Sequence, residues 1–103
     1  MTEEQIIKML EETNLPVSYD HGDIGTKVPY ITYKTNTNNI FADDSVYVEK
    51  MQLSIWLYSS FRDRKNEKKL EEILNKNNIG WNRDTTYDSG SKVYISIYET
   101  EVI

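Results

Sequence analysis

The run Met51 to Tyr58, "MQLSIWLY", constrains this chain more than any other stretch. Met51, Leu53, Ile55 and Leu57 alternate with Gln52, Ser54, Trp56 and Tyr58. Successive side chains of a strand point to opposite faces, so an apolar residue at every second position reads as a strand with one buried face. Such a strand commits the chain to a sheet, and the apolar face needs cover from helices or a second sheet. The strand signal starts at Val46 and runs to Ser59, but Val46 and Val48 occupy even positions. A bulge near Glu49 or Lys50 would reconcile the two phases.

Two segments offer the cover. Residues 2–13 read as a helix that opens on Thr2 and Gln5, the spacing of a capping box. Glu3 and Glu4 favour the positive end of its dipole, and Ile6, Met9 and Leu10, with Ile7 to one side, form its apolar stripe. Residues 63–77 read as a second helix with Leu70, Ile73 and Leu74 as its stripe, and its remaining charged residues read as a solvated face. Further strands are expected at 17–21, from Pro29 through "PYITYKT", at 81–89 with a turn at Ser89-Gly90, and at 92–103. In the last, Val93, Ile95 and Ile97 share one face, while Tyr94, Tyr98 and Val102 share the other.

The order is α-β-β-β-α-β-β. It lacks the strict alternation of a doubly wound parallel sheet. The expected fold is one α+β domain over residues 1–103, a mainly antiparallel sheet with both helices on one face. Its core should hold Ile6, Leu10, Leu53, Ile55, Leu57, Leu70, Ile73 and Leu74.

Composition removes several chemistries. The chain has no cysteine, so disulfides, zinc–thiolate sites and thiol catalysis are excluded. Its formal charge of −5 is the wrong sign for the electrostatics that dominate DNA affinity. No apolar run has the length of a membrane span, and "MTEEQIIKMLEE" lacks the basic start of a secretory signal. The expectation is a soluble intracellular protein with no membrane partner and no sequence-specific nucleic-acid binding.

"YDHGD" places Asp20, the only histidine His21, and Asp23 close together. Carboxylates with an imidazole can hold a metal or move protons. Neighbouring strand residues point to opposite faces, however, and no nucleophile or further acid stands nearby, so neither a catalytic residue, a metal nor a cofactor is expected here. "YKTNTNNIFADDS", residues 33–45, reads as a long Asn-rich loop between two strands. It lacks the alternating oxygen ligands, central Gly and distal Glu of a calcium loop. Its centre carries Ile40 and Phe41, which either tuck onto the sheet edge or dock on another chain. The loop is therefore expected to be an assembly finger. Asn38, Asn39, Ile40 and Phe41 would make its contacts, with Asp43 and Asp44 at the polar rim or facing the lumen of an assembly. The eight tyrosines point to a second surface. Trp56 and Tyr58 would share the second sheet face with Tyr94 and Tyr98, in the kind of aromatic patch found at protein–protein interfaces.

Five segments carry a family resemblance: "NLPVSYDH" (14–21), "PYITY" (29–33), "NIFADDSVY" (39–47), "IWLYS" (55–59) and "YISIYETEVI" (94–103). They resemble the small tail-completion proteins of siphophages and prophages of low-GC Gram-positive bacteria. The resemblance implies a structural protein of the tail-terminator kind, a ring that caps the tail tube and joins it to the head connector. It implies self-association, with six subunits expected, and partners in the tail-tube and connector proteins. The protein would act in the host cytoplasm during assembly and then reside in the virion tail. An acidic ring would let DNA slide through rather than adhere. Two other readings stay open: a cytosolic adaptor that binds a protein on its aromatic sheet face, and a small metal-dependent enzyme or nuclease inhibitor built around "YDHGD".

Overall fold

A computed structural model describes residues 1–20, 27–41 and 47–102, without the side chains of 37–41 and 47–50. The elements follow the expected order: α1 (Glu3–Glu11), β1 (Val17–Tyr19), β2 (Tyr30–Phe41), β3 (Tyr47–Ser59), α2 (Arg64–Lys76), β4 (Trp81–Asp88) and β5 (Val93–Val102). The strands form one sheet in the order β1-β2-β3-β5-β4. Only the β1–β2 pair is parallel; the other three are antiparallel. The fold is α+β. None of its described helices is long and apolar enough to cross a membrane.

Both helices start and stop on local chemistry. The Thr2 hydroxyl accepts from the Gln5 backbone N–H at 3.2 Å, and the Gln5 side chain accepts from the Thr2 N–H at 2.8 Å. That closes the capping box and satisfies two orphan donors of α1. Asp63 caps α2 by accepting from the Asn66 N–H at 3.1 Å. At the other end, Asn78 takes the left-handed conformation, with φ 59°. The Asn78 N–H then reaches the Asn75 carbonyl at 3.0 Å, and the Ile79 N–H reaches the Leu74 carbonyl at 2.9 Å. This paired closure satisfies carbonyls that the last turn would otherwise leave open, and it turns Ile79 back onto the core.

The core lies between the helices and one face of the sheet. All eight residues expected there are buried, together with Met9, Ile31, Tyr33, Ile79, Tyr98 and Val102. Leu53, Ile55 and Leu57 form its floor, at the middle of the central strand.

Three expectations are corrected. First, β2 and β3 pair one-to-one from Phe41↔Tyr47 to Tyr30↔Tyr58, so no bulge interrupts β3. Val48 lies past the last row that β3 shares with β5, Met51↔Val102, and Val46 lies outside the described residues. Second, most of "YKTNTNNIFADDS" is strand rather than loop. Residues up to Phe41 belong to β2, and only 42–46 separate the paired ends. Local Asn preference for turns yields here to the cross-strand ladder with Tyr47, Val48, Glu49 and Lys50, because strand propensity depends on context. Third, Tyr98 belongs to the core. Ile55 pairs with Tyr98, whereas Trp56 pairs with Ile97, so Tyr98 and Trp56 occupy opposite faces. Tyr94 has the same parity as Tyr98 and is likewise separated from Trp56 and Tyr58.

Candidate functional site

Two features present themselves on the sheet: the face that the helices leave uncovered, and a ribbon that extends beyond the other strands. The first follows from register. Leu53, Ile55 and Leu57 point to the helices, so Gln52, Ser54, Trp56 and Tyr58 point away. Their cross-strand partners place Tyr30, Thr32 and Lys34 of β2 beside them, and Ile95, Ile97, Glu99 and Glu101 of β5 on the other flank. The β4 register adds Asn82, Asp84, Thr86 and Asp88.

This face is graded along the strands. At one end Tyr30 and Tyr58 stack with ring centroids 4.6 Å apart. Trp56, Ile95 and Ile97 continue the apolar patch, each only partly buried. Burial, with the neighbouring Tyr58 adding to it, pushes the Tyr30 hydroxyl above its ordinary range. Thr32 is 3% exposed, and its buried hydroxyl has no hydrogen-bond partner among the described residues. At the other end the face turns acidic and polar. Glu99 and Glu101 are both exposed, and Ser54 Oγ donates to Glu99 Oε2 at 2.7 Å. Gln52, Asn82, Glu99 and Glu101 border a shallow depression of about 330 Å³ at the start of β4, with Gly80, Trp81 and Thr100 completing its lining.

The second feature is the ribbon. β1 pairs with β2 only from Ile31 to Tyr33, and β5 pairs with β3 only from Met51 onward. Asn38–Phe41 and Tyr47–Lys50 therefore pair with each other beyond both neighbours. At about 3.4 Å per residue the described ribbon projects on the order of 13 Å past the sheet. The Cα radius of gyration is 14.8 Å, against about 13 Å for a compact chain of this length, a difference in the direction that a projecting ribbon produces.

The proposed interaction residues thus separate into three groups. Trp56 and Tyr58 stand together on the open face. Tyr94 and Tyr98 do not join them: Tyr94 pairs its ring with Tyr87 at 4.8 Å, and Tyr98 is fully buried against Trp81 at 5.6 Å. The backbones of Asn38, Asn39, Ile40 and Phe41 lie in the ribbon, but their side chains are outside the described residues, as are Asp43 and Asp44. His21 and Asp23 are also outside the described residues, and Asp20 sits just after β1 in a left-handed conformation.

Sequence reading missed a buried polar cluster under α2. Glu67 is 1% exposed. Its carboxylate accepts from Ser96 Oγ at 2.6 Å, from Arg62 Nε at 3.1 Å and from Arg64 Nη1 at 2.7 Å. Arg83 of β4 lies 3.5 Å away and donates to Glu71, which also accepts from Tyr98 Oη at 2.8 Å. Burial alone would raise the Glu67 carboxyl; the Ser96 hydroxyl and the Arg62 and Arg64 guanidiniums outweigh it and hold the group below its ordinary value. A carboxylate so engaged is a poor proton acceptor, and the cluster's evident work is to clamp α2 onto β5 and β4. Spacing carries the missed signal: Glu67 precedes Leu70 by three residues and Leu74 by seven, which places it on the buried stripe. Among the described residues, no group of three His, Cys, Asp or Glu side chains is placed to hold a metal ion.

Compared with models of known protein families and with curated proteins, the chain matches none.

Proposed function

We propose that this chain is a structural protein of phage or prophage tail completion, acting like a tail terminator: a ring that caps the tail tube and joins it to the head connector. The sequence resemblance supplies the role, and the projecting β2–β3 ribbon is the structural observation that best supports it. Both outer edges of that ribbon, Asn38–Phe41 and Tyr47–Lys50, face no neighbouring strand among the described residues. A strand edge with unpaired N–H and C=O groups is a template for pairing with another chain. In an assembly protein such an edge is useful, because it reaches a neighbouring subunit or the tube without disturbing the core. Six copies form the ring by resemblance to the family. The net charge of −5 suits a lumen through which DNA passes without adhering.

The test is incubation of the purified protein with assembling tail tubes, scored by electron microscopy for capped ends and tube length. Capped tubes of uniform length support the role. Tubes that keep growing in its presence argue against it.

The Trp56, Tyr58, Tyr30, Ile95 and Ile97 patch favours a second reading, an adaptor that binds a cellular protein on its open sheet face. Under that reading the protein leaves tail tubes uncapped and co-purifies with a host protein.

A further inference from the structure

The sheet ends on two edges, and they are unlike. β1 is three residues long, and a very short edge strand gives a partner little to pair with. β4 runs for eight residues, Trp81–Asp88, and among the described residues no strand pairs with its outer side. It contains no proline and no lysine. It pairs with β5 one-to-one from Trp81↔Thr100 to Asp88↔Val93, so no bulge twists it away. The cation it does carry, Arg83, is answered within its own chain by Glu71 and Glu67. Helix α2 does not shield this edge either. The short Ser96 side chain of β5 bonds Glu67 directly, whereas β4 reaches the helix through the long side chains of Trp81 and Arg83, so the helix rests over β5.

We propose that the outer edge of β4 is the contact surface for a second copy of this chain, joined antiparallel about a two-fold axis at Thr85, so that the two sheets continue as one. Antiparallel pairing about such an axis leaves both sets of helices on the same side of the sheet, so residues of equal parity stand opposite one another. Charge then decides the register. An axis at Arg83 or at Asp84 brings that charge against its own copy. An axis at Thr86 sets Asp84 opposite Asp88. Like charges directly opposite are destabilising. An axis at Thr85 avoids all three: Asp84 meets Thr86, Asn82 meets Asp88 and Arg83 meets Tyr87, over a ladder from Asn82 to Asp88. Thr85 meets Thr85 of the second copy, a favourable cross-strand pair. The Arg83 guanidinium comes beside the exposed ring of Tyr87. The helices leave room for this. From β5 of one copy to β5 of the other is three strand spacings, about 14 Å, and packed helices need about 8–10 Å. The contact is isologous and closes on itself, because it consumes both β4 edges and leaves none to propagate. It stands apart from the tail-terminator role, since a ring closes through contacts between two different surfaces.

The experiment uses the full chain, whose lack of native cysteine lets single introduced cysteines report the contact. Asp84→Cys, Thr85→Cys and Thr86→Cys are oxidised in parallel, with Asn39→Cys on the ribbon for comparison. Thr85→Cys should yield a disulfide-linked dimer well ahead of the other three, because only that position faces itself. Sedimentation up to millimolar concentration reads the dimer of the unaltered chain. Thr86→Asp sets aspartates opposite each other at two symmetric places and should weaken the dimer about three- to tenfold, whereas Thr86→Lys should tighten it. Thr86 is exposed, so both variants keep the fold, as circular dichroism should verify. A chain that stays monomeric throughout overturns the proposal. So does a dimer whose affinity neither charge variant changes. Cross-linking led by Asp84→Cys or Thr86→Cys overturns the register and the proposal with it, and cross-linking led by Asn39→Cys gives the contact to the ribbon instead. Tube capping is read separately on the unaltered chain. Capping by a protein that forms no β4 dimer sinks this proposal and leaves the terminator role standing; a β4 dimer without capping does the reverse.

Discussion

Ser96 Oγ donates to the Glu67 carboxylate at 2.6 Å, inside the protein, and that contact joins α2 to β5. Both groups are polar, both are buried, and each would be costly without the other. Arg62, Arg64 and Arg83 complete the coordination of the carboxylate. Glu67→Gln retains the shape and an acceptor for Ser96 but removes the charge that the three guanidiniums share. It should destabilise the fold by about 1–3 kcal/mol. Urea unfolding of the two proteins, at equal m-value, gives the difference directly; an unchanged midpoint would show that solvent already satisfies the arginines.

The same carboxylate sets an acid limit. Its folded value lies below the ordinary 4.5, despite burial, because Ser96, Arg62 and Arg64 favour the charged form. When pH falls below about 5 the unfolded chain takes up the proton first, so the Glu67 contribution is present above that point. It is lost as pH falls through the depressed folded value. The melting temperature of the wild type should therefore fall on acidification more steeply than that of Glu67→Gln. Parallel curves would assign the acid sensitivity to other carboxylates.

An alkaline limit follows from two tyrosines with the opposite sign. Tyr33 is 3% exposed, and its hydroxyl donates to Glu3 at 3.2 Å. Burial first, and the Glu3 carboxylate second, push it up to about 12. Burial and Glu71 drive Tyr98 up as well. Neutral hydroxyls are favoured only in the folded chain, so this stability is complete below pH ~10 and is lost as pH rises towards the raised values. Ultraviolet titration should show tyrosines that ionise only as the protein unfolds. Tyr33→Phe should remove one of them and flatten the alkaline stability curve. Ionisation of every tyrosine as a single ordinary group, with the fold intact, would contradict the burial.

Ile55 is fully buried in the central strand, between Tyr33 on β2 and Tyr98 on β5. Ile55→Ala removes methylenes where both flanks are fixed by hydrogen-bonded tyrosines, so the cavity cannot collapse easily. The expected loss is about 2–5 kcal/mol. Thermal unfolding should show it as a Tm lower by roughly 10 °C or more. A shift of only a degree or two would mean that the helices settle into the gap.

Period-two alternation in "MQLSIWLY" was enough to place the core face of β3, and the stripes of α1 and α2 were enough to place both helices on it. The face of β5 was harder, for a physical reason. Ser96 and Thr100 interrupt its buried row with hydroxyls, while Val93, Ile95 and Ile97 make the exposed row look more apolar. Alternation yields two rows, but only pairing with Ile55 decides that the row of Tyr98 is the inner one. Glu67 was hidden because a charged helix face looks solvated until arginines from a loop and from β4 are brought to it. The Asn-rich stretch read as loop because composition records local preference, whereas its ladder with Tyr47–Lys50 is a partnership across the hairpin.

The ribbon supplies the last prediction. Ile40 pairs with Val48 and Phe41 with Tyr47. Met51, which pairs with Thr37, still packs against the core, so Ile40 lies three residues beyond that row, about 10 Å along the strand. Its backbone thus lies past the last strand row that packs against the core, where the pair would serve contacts with another chain. Burying two such side chains against a neighbour contributes about 1.5–3 kcal/mol each. Ile40→Ser combined with Phe41→Ser should therefore leave the melting temperature within a degree or two of wild type and abolish tube capping. Thermal unfolding and the capping assay are run on the same preparation. A lowered melting temperature with normal capping by the surviving protein would return the pair to the protein's own fold, and the proposal that the ribbon is an assembly finger would fail.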